Sequence, residues 1–185
     1  MSYETADGYK IRDQSAIHFL TFTVMGWIDI FNRQCYRDII IESFQFCRSH
    51  KQLRIGAFVI MSNHVHVIWQ AGKENLSDVI RDFKTFTSKS ILKHIESDAE
   101  SRKKWLLYMF KFYANRTNAN DVYKVWTNGN HPETIHTEDF LMTKLNYIHD
   151  NPVRAGIVSQ QVAYIYSSAA NYQGKAGIME IDLLF

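Results

Sequence analysis

The sequence contains few of the residues that form disulfide scaffolds, flexible linkers or membrane spans. It has 2 Cys, 2 Pro and 8 Gly among 185 residues, and no apolar run reaches the roughly 18 residues that a membrane helix needs. Cys35 and Cys47 are too few and too far apart in the chain for a disulfide framework or a zinc site. Residues 1–13 lack the apolar core of a signal peptide. We therefore expect a cytoplasmic protein with no membrane partner.

A large net charge is absent as well. The 21 Lys and Arg against 19 Asp and Glu give +2, which excludes a strongly basic protein but not a local basic face. Residues 73–130 hold 11 basic against 7 acidic residues, whereas residues 131–185 hold 3 against 6. A hydrophobic fraction of 46% can bury a core. The length favours one domain over residues 1–185, with its core at about 15–158 and a tail at 159–185.

The first half of the chain has clear periodicities. Runs rich in aromatic and β-branched residues predict strands over residues 17–25, 53–61 and 64–70. Apolar residues at helical spacing predict helices over residues 34–50 and 76–95. The last two strands are separated by only a short break, so we expect them to pair as a hairpin.

The second half is less regular. Residues 100–121 mix basic and aromatic side chains and are expected to be irregular, and a short strand is expected over residues 123–126. Thr137 is expected to cap a helix that ends at Asn151, because Pro152 disfavours a helical conformation in the residue before it. The order of elements predicts the α+β class: a ferredoxin-like βαββαβ antiparallel sheet with helices on one face and one added C-terminal helix.

Two histidines stand out in the predicted hairpin. His64 and His66 are two residues apart on a strand, so both side chains point to the same face of the sheet. Two imidazoles side by side can chelate a divalent metal, and a rigid core strand suits such a site. The alternative is that the histidines only make hydrogen bonds on a polar face.

A second pair lies near the end of the predicted C-terminal helix. Tyr147 and Asn151 are four residues apart and share one helical face. Asn is an oxygen ligand suited to Mg²⁺ or Mn²⁺, and a phenol needs a neighbouring cation to become a useful nucleophile. The alternative is that Tyr147 packs in the core and Asn151 ends the helix. His149 lies on another face and is structural or faces the substrate.

Both pairs lie in longer segments that resemble one known family. Residues 61–68 read Met-Ser-Asn-His-Val-His-Val-Ile, and residues 147–156 read Tyr-Ile-His-Asp-Asn-Pro-Val-Arg-Ala-Gly. Together they resemble the single-tyrosine HUH transposases of the insertion sequence 200 type, and most closely the REP-associated tyrosine transposases. Residues 125–133 and 166–169 are also similar to that family, so the resemblance spans about residues 15–172.

The resemblance implies a reaction and a site. His64 and His66 match the HUH metal ligands, Asn151 matches the third ligand, and Tyr147 matches the nucleophile; mobile relatives more often carry Gln in place of Asn151. The implied cofactor is Mg²⁺ or Mn²⁺, and the implied added helix carries the catalytic Tyr. The implied reaction cuts single-stranded DNA with hairpins, leaving a 5′-phosphotyrosine and a free 3′-OH that can reseal the strand. Dimeric relatives imply a homodimer, whereas the REP-associated branch also allows a monomer.

The basic middle of the chain is the expected DNA-binding region. Cations and rings interleave over residues 103–113, a composition typical of a surface on which single-stranded bases stack. A solvated helix face with an aromatic edge packed on the sheet explains the same composition. The candidate DNA-binding residues are Lys84, Lys89, Arg102, Lys103, Lys104, Arg116 and Arg154.

Two other functions are compatible with the sequence. One is a domesticated, non-catalytic DNA-hairpin-binding protein, against which the full set of four site residues argues. The other is a rolling-circle-type nickase, which shares the chemistry but is usually joined to a helicase domain that this length does not accommodate.

Overall fold

A four-stranded antiparallel sheet forms the centre of the protein. The computed structural model describes residues 11–73, 75–97, 100–117 and 122–184. The strands are β1 (Ile17–Thr23), β2 (Leu53–Ile60), β3 (His64–Ala71) and β4 (Glu133–Ile135), in the spatial order β2-β3-β1-β4. Each neighbouring pair is antiparallel. This order is that of the ferredoxin-like fold, so the predicted α+β class is confirmed.

The two long helices of the first half pack on one face of the sheet. They are α1 (Gln34–Lys51) and α2 (Leu76–Glu96), close to the predicted bounds. Phe44 of α1 and Phe83 of α2 stack with ring centroids 5.5 Å apart, and both contact Trp69 of β3. Leu20 and Phe22 of β1 are fully buried, and Phe22 contacts Phe83. The alternate residues of β1 and β3 therefore face the other side of the sheet.

The segment predicted to be irregular, residues 100–121, contains a third helix, α3 (Lys103–Arg116). Leu106, Phe110 and Ala114 are buried at intervals of four residues, which places them on one helical face. The exposed side of α3 is rich in aromatic residues, and these obscured the helical period. The prediction is wrong for residues 103–116, while residues 118–121 lie outside the described part.

The fourth strand lies later in the chain than predicted. In the predicted strand at residues 123–126, only Trp126 forms an isolated bridge, to Val24. The chain continues alongside β1, since the Thr127 amide donates to the Thr23 carbonyl oxygen over 2.9 Å. His131 then adopts a φ of 43°, which breaks the extended conformation before β4 begins. The short strand after this break has too few apolar residues to be recognised from the sequence.

Helix α4 (Glu138–Arg154) covers the second face of the sheet. The Thr137 side chain accepts a hydrogen bond from the Phe140 amide over 3.2 Å, so the predicted cap is confirmed. The predicted end at Asn151 is wrong, because the helix continues through Pro152. The restriction before proline is only a preference; here Pro152 is buried, and the Ala155 amide closes the last turn on the Asn151 carbonyl oxygen over 3.0 Å.

The tail, for which no period was found in the sequence, lies along the open edge of β2. It contains the short helix α5 (Ala169–Tyr172). The Ser168 amide donates to the Phe58 carbonyl oxygen over 3.0 Å, and the Asp182 amide donates to that of Ile55 over 2.9 Å. The tail therefore satisfies backbone groups that an edge strand would otherwise leave unpaired. Within the described ranges, no helix combines the length and the apolar character needed to cross a membrane.

Candidate active site

The His pair lies on the sheet face that α4 covers. His64 and His66 project from β3 with ring centroids 4.7 Å apart. The register of β1 against β3 places Thr23 opposite His64 and Thr21 opposite His66. His66 is buried, while His64 is half-buried. The strand alternation that predicted a shared face is therefore confirmed.

Each histidine is oriented by a hydrogen bond to its Nδ1 atom. Asn63 Oδ1 lies 2.7 Å from His64 Nδ1, and Thr21 Oγ1 lies 2.9 Å from His66 Nδ1. An amide oxygen can only accept, so His64 carries its proton on Nδ1 and leaves the lone pair of Nε2 available. In the described part of the chain, no hydrogen bond engages Nε2 of either ring. A partner on one nitrogen that frees the other for a metal is the usual arrangement of metal-binding histidines.

The surroundings keep both rings neutral. Burial lowers the pKa of His66 to about 3, and electrostatic interactions with His64, Lys144 and Arg154 lower it further. Burial also lowers the pKa of His64. A neutral imidazole is the form that donates a lone pair to a metal. The site therefore offers two nitrogen donors that need not lose a proton at neutral pH.

Tyr147 on α4 faces the His pair. Its ring centroid lies 5.2 Å from that of His66 and 5.9 Å from that of Phe19. Tyr147 is 37% exposed, so the residue is partly accessible to a ligand. The guanidinium Cζ of Arg154, seven residues later on the same helix, lies 5.1 Å from the ring centroid. The tyrosine and a cation that can bind a phosphate thus reach the histidines of the same chain.

Asn151 lies about one turn after Tyr147 on α4 and is half-buried. Its side chain makes no hydrogen bond to any described residue. Among the residues that the structure describes, no third His, Cys, Asp or Glu joins the His pair. A third protein donor to a metal at this pair would thus be a different residue type, and an amide oxygen is a suitable one.

His149 is a structural residue and does not face the site. It is buried, and its Nε2 lies 2.9 Å from the Ser168 hydroxyl oxygen of the tail. Its ring lies 5.3 Å from that of Tyr172. Burial lowers the pKa of His149 to about 4, with a small opposing effect of Asp150. Of the two roles expected for His149, the structure favours the first.

The candidate DNA-binding residues are distributed over several surfaces. Arg154 lies at the site, whereas Lys84 and Lys89 are on α2, which packs on the other face of the sheet. The Lys84 ammonium donates to the Thr127 carbonyl oxygen over 2.8 Å, and burial lowers its pKa to about 8. It lines a cavity of about 350 Å³ together with Lys89. These two lysines are therefore not part of the His-Tyr site.

The remaining cations belong to α3 or its N-terminal flank. Arg102 forms a 2.7 Å ion pair with Asp29, and Lys103 bonds to the Glu96 carbonyl oxygen. The exposed side of α3 carries two lysines, three rings and Arg116, and we call it the α3 stripe: Lys104, Trp105, Tyr108, Lys111, Phe112 and Arg116. The rings of Tyr108 and Phe112 stack at 6.3 Å, and the Arg116 guanidinium lies 4.5 Å from the Phe112 ring. Interleaved cations and rings on one surface are suited to single-stranded nucleic acid.

Sequence reasoning missed three residues at the site. Thr21 is the partner of His66, and only the register between β1 and β3 reveals it. Lys144 lies three residues before Tyr147, a spacing that places both residues on the same helical face. The Lys144 ammonium lies 4.5 Å from the Phe19 ring centroid and forms a 2.7 Å ion pair with Glu133 Oε1. Trp27 lies beside His64, with ring centroids 6.1 Å apart, and its only sequence signal is an apolar residue after a glycine.

Two solved structures are similar to the chain. A structure of a REP-associated tyrosine transposase bound to a REP hairpin is similar over 100% of this chain and 94% of its own, with 17% identity and a TM-score of 0.57. A protein described as a transposase, from Deinococcus radiodurans R1, matches over 80% of this chain and 97% of its own, with 12% identity and a TM-score of 0.46. The first of these supports the ferredoxin-like architecture. No curated protein sequence matches the chain.

The sequence itself matches a family model described as transposase IS200 like, over residues 14–150. That range includes β1, the His pair and Tyr147, and it covers well over half of the chain. The resemblance to insertion sequence 200 transposases is therefore confirmed. The chain belongs to the IS200-like transposase family.

Proposed function

We propose that the protein cuts and rejoins single-stranded DNA next to hairpins, such as repetitive extragenic palindromes, with Tyr147 as the nucleophile. The observation that carries the proposal is the position of Tyr147, whose ring lies 5.2 Å from that of His66 in a member of a transposase family. A phenol, two neutral imidazoles and Arg154 converge on a partly open surface. Such a group of residues is suited to a phosphodiester substrate.

The proposed step exchanges one phosphate ester for another. The Tyr147 phenol oxygen attacks the phosphorus and the bond to the 3′-oxygen breaks. The DNA segment that follows the cut stays attached to Tyr147 through its 5′-phosphate, and the segment that precedes the cut ends in a 3′-OH. The phenol loses its proton to solvent, and the departing 3′-oxygen takes one up. Because the new ester retains the energy of the broken bond, attack by a 3′-OH can later reseal a strand and release Tyr147 without ATP.

A divalent metal fits the donor set. His64, His66 and Asn151 would hold Mg²⁺ or Mn²⁺. The two imidazoles are neutral and their Nε2 atoms are available. Among the described residues, no carboxylate or thiol joins the two histidines as a third ligand. When bound, the cation would offset the negative charge that develops on the phosphate. Thr21 and Asn63 hold the two rings in orientation through their Nδ1 atoms. Arg154 would bind a non-bridging phosphate oxygen.

The proposed DNA partner fits the charge and rings of the described surface. The α3 stripe supplies cations and faces for stacking, and single-stranded DNA uses both. The structurally similar REP-associated transposase is bound to a REP hairpin, which makes a hairpin of this kind the first substrate to test.

Tyr147 reaches His66 within one chain, so a homodimer is not required to complete the site. We also propose a cytoplasmic location, because a DNA transposase acts on chromosomal DNA.

The test is covalent capture of DNA. A hairpin oligonucleotide from the flanking genomic DNA, incubated with Mg²⁺ or Mn²⁺, should give an SDS-stable protein–DNA adduct with the parent protein. Tyr147→Phe should abolish the adduct while leaving binding intact, because only the hydroxyl is lost. Tyr108→Phe is the matched control, since Tyr108 is 65% exposed and Phe keeps its ring; it should form the adduct as the parent does. An adduct with Tyr147→Phe contradicts the assignment, and binding without any adduct in the parent favours the non-catalytic alternative.

A further inference from the structure

Trp27 is an exposed tryptophan in an unfavourable backbone conformation. Its side chain is 66% exposed, although large aromatic side chains usually become buried. Its φ is +56°, a left-handed conformation that is a genuine outlier for a bulky residue. A residue that is both strained and exposed contributes little to the core. Strain of this kind is typical of sites that bind a ligand.

The surrounding structure holds Trp27 in place. Its amide donates to the Val24 carbonyl oxygen over 3.0 Å, and its own carbonyl oxygen accepts from Asn63 Nδ2 over 3.3 Å. Gly26 before it has a φ of 64°, and the Tyr113 ring of α3 occupies the space that a side chain at Gly26 would need. The backbone that carries the indole is therefore held by Val24 just after β1, by the β2–β3 turn and by α3.

The indole lies at the end of a row of rings that runs through the candidate active site. Trp27 contacts His64 with centroids 6.1 Å apart, His64 contacts His66 at 4.7 Å, and His66 contacts Tyr147 at 5.2 Å. Trp27 and Tyr147 thus contact different histidines of the pair. A strand that has a phosphate at the His pair and runs along this row of rings places a neighbouring nucleotide close to the indole.

Asn63 connects the two parts of this row. Its Oδ1 lies 2.7 Å from His64 Nδ1, and its Nδ2 donates to the Trp27 carbonyl oxygen. One side chain therefore orients both the proposed metal ligand and the tryptophan. An exposed indole carried on a backbone that is held next to a proposed phosphate site is suited to stacking on a base, because every base presents a π-face.

We propose that Trp27 stacks on an unpaired base close to the scissile phosphate and so positions the single strand across the His pair. This role rests on the proposed function in that the DNA must cross the same site. It does not depend on which residue attacks the phosphate. The chemistry recognised is the flat face of a nucleobase, independent of its sequence.

The test uses binding rather than cleavage, in the Tyr147→Phe background. The probes are hairpin oligonucleotides with a single-stranded flank that carries 2-aminopurine or an abasic site at one position at a time. Trp27→Gly removes the ring and suits the positive φ, so a failure to fold is not expected; Trp27→Phe keeps a ring. Phe86→Ala is the matched control, since Phe86 is 58% exposed on α2, on the other side of the sheet.

Stacking of one base predicts a loss of about 5- to 150-fold in affinity for Trp27→Gly. Trp27→Phe should retain most of the affinity, and Phe86→Ala should bind as the Tyr147→Phe protein does. One flank position should show quenched 2-aminopurine fluorescence and sensitivity to an abasic site, and both effects should disappear in Trp27→Gly. Unchanged affinity and unchanged abasic sensitivity in Trp27→Gly overturn the proposal, as does an equal loss with Phe86→Ala.

The two proposals can fail separately. If Trp27→Gly behaves as expected while Tyr147→Phe still forms the adduct, only the nucleophile assignment is wrong. If the adduct depends on Tyr147 but Trp27→Gly binds normally, only the stacking role is wrong. If Trp27 instead serves a protein partner, all flank positions remain insensitive to the substitution, which also overturns the stacking role.

Discussion

The hydrogen bond between Thr21 and His66 gives the sharpest prediction about the candidate metal site. Thr21→Val replaces the hydroxyl by a methyl group of similar size and removes the hydrogen-bond partner of His66 Nδ1, which lies 2.9 Å away. His66 is 6% exposed, so little water can replace the lost partner. Thr23→Val is a matched control, because Thr23 lies on the same face opposite His64 and its hydroxyl makes no hydrogen bond to any described residue.

Two magnitudes follow from this geometry. Leaving a buried polar group without its partner costs about 1–3 kcal/mol of unfolding free energy, which corresponds to roughly 2–12 °C in Tm for a protein of this size. Loss of a residue that orients a metal ligand weakens metal affinity or activity by about 10- to 100-fold. Thr23→Val should change the unfolding free energy and the free energy of metal binding by no more than about 0.5 kcal/mol each, the usual range for substitutions that break no buried contact.

The assay has one arm with metal and one without it. Adduct formation is measured against Mn²⁺ or Mg²⁺ concentration. Thr21→Val should raise the half-saturating metal concentration by about 10- to 100-fold. Thermal unfolding of the metal-free protein measures the stability cost independently of activity. If the curves of Thr21→Val and Thr23→Val coincide in both arms, His66 is not oriented through Nδ1 and the reasoning is refuted.

Two further predictions concern stability. Glu100 is buried and accepts hydrogen bonds from Tyr36 Oη over 2.7 Å and Arg33 Nη1 over 2.9 Å. Glu100→Ala leaves the buried Tyr36 hydroxyl without its partner, so it should cost about 1–3 kcal/mol in urea unfolding; a loss no larger than that of the exposed control Glu42→Ala would be inconsistent with this. Burial lowers the pKa of His18 below its usual 6.5, so the unfolded chain binds the extra proton and stability falls as the pH drops below 6.5. His18→Phe should flatten that fall, and an unchanged pH profile would show that His18 does not contribute to it.

The sheet and its first two helices were predictable because burial imposes regular patterns on them. The helix over residues 76–95 buries one face, so its apolar residues recur at the helical period. The strand over residues 53–61 is buried on both faces, so it reads as a short, nearly continuous apolar run. The His pair follows from the same rule, since residues two apart on a strand share a face. Tyr147 could be assigned to that site only through the family resemblance, because the approach of α4 to β3 is a tertiary contact.

The features that the sequence does not predict depend on tertiary interactions, which a local pattern of residues does not contain. The sequence does not reveal helix α3, because the exposed side of the helix is aromatic, and it does not locate β4, because only three residues form the strand. Helix α4 passes Pro152 because burial and closing hydrogen bonds outweigh a local preference. The only sequence signal of Trp27 is an apolar residue after a glycine, since its exposure results from a backbone held by residues distant in the sequence.

Identification of the residue that carries the DNA tests the central claim most directly. The adduct is digested with trypsin and a nuclease, and the peptide that retains a nucleotide is located by mass spectrometry. Cleavage after Lys144 and Arg154 gives a peptide of residues 145–154, in which Tyr147 is the single tyrosine. The account predicts a nucleotide 5′-phosphate on this peptide, fragmented to Tyr147. A nucleotide on any other peptide would contradict it.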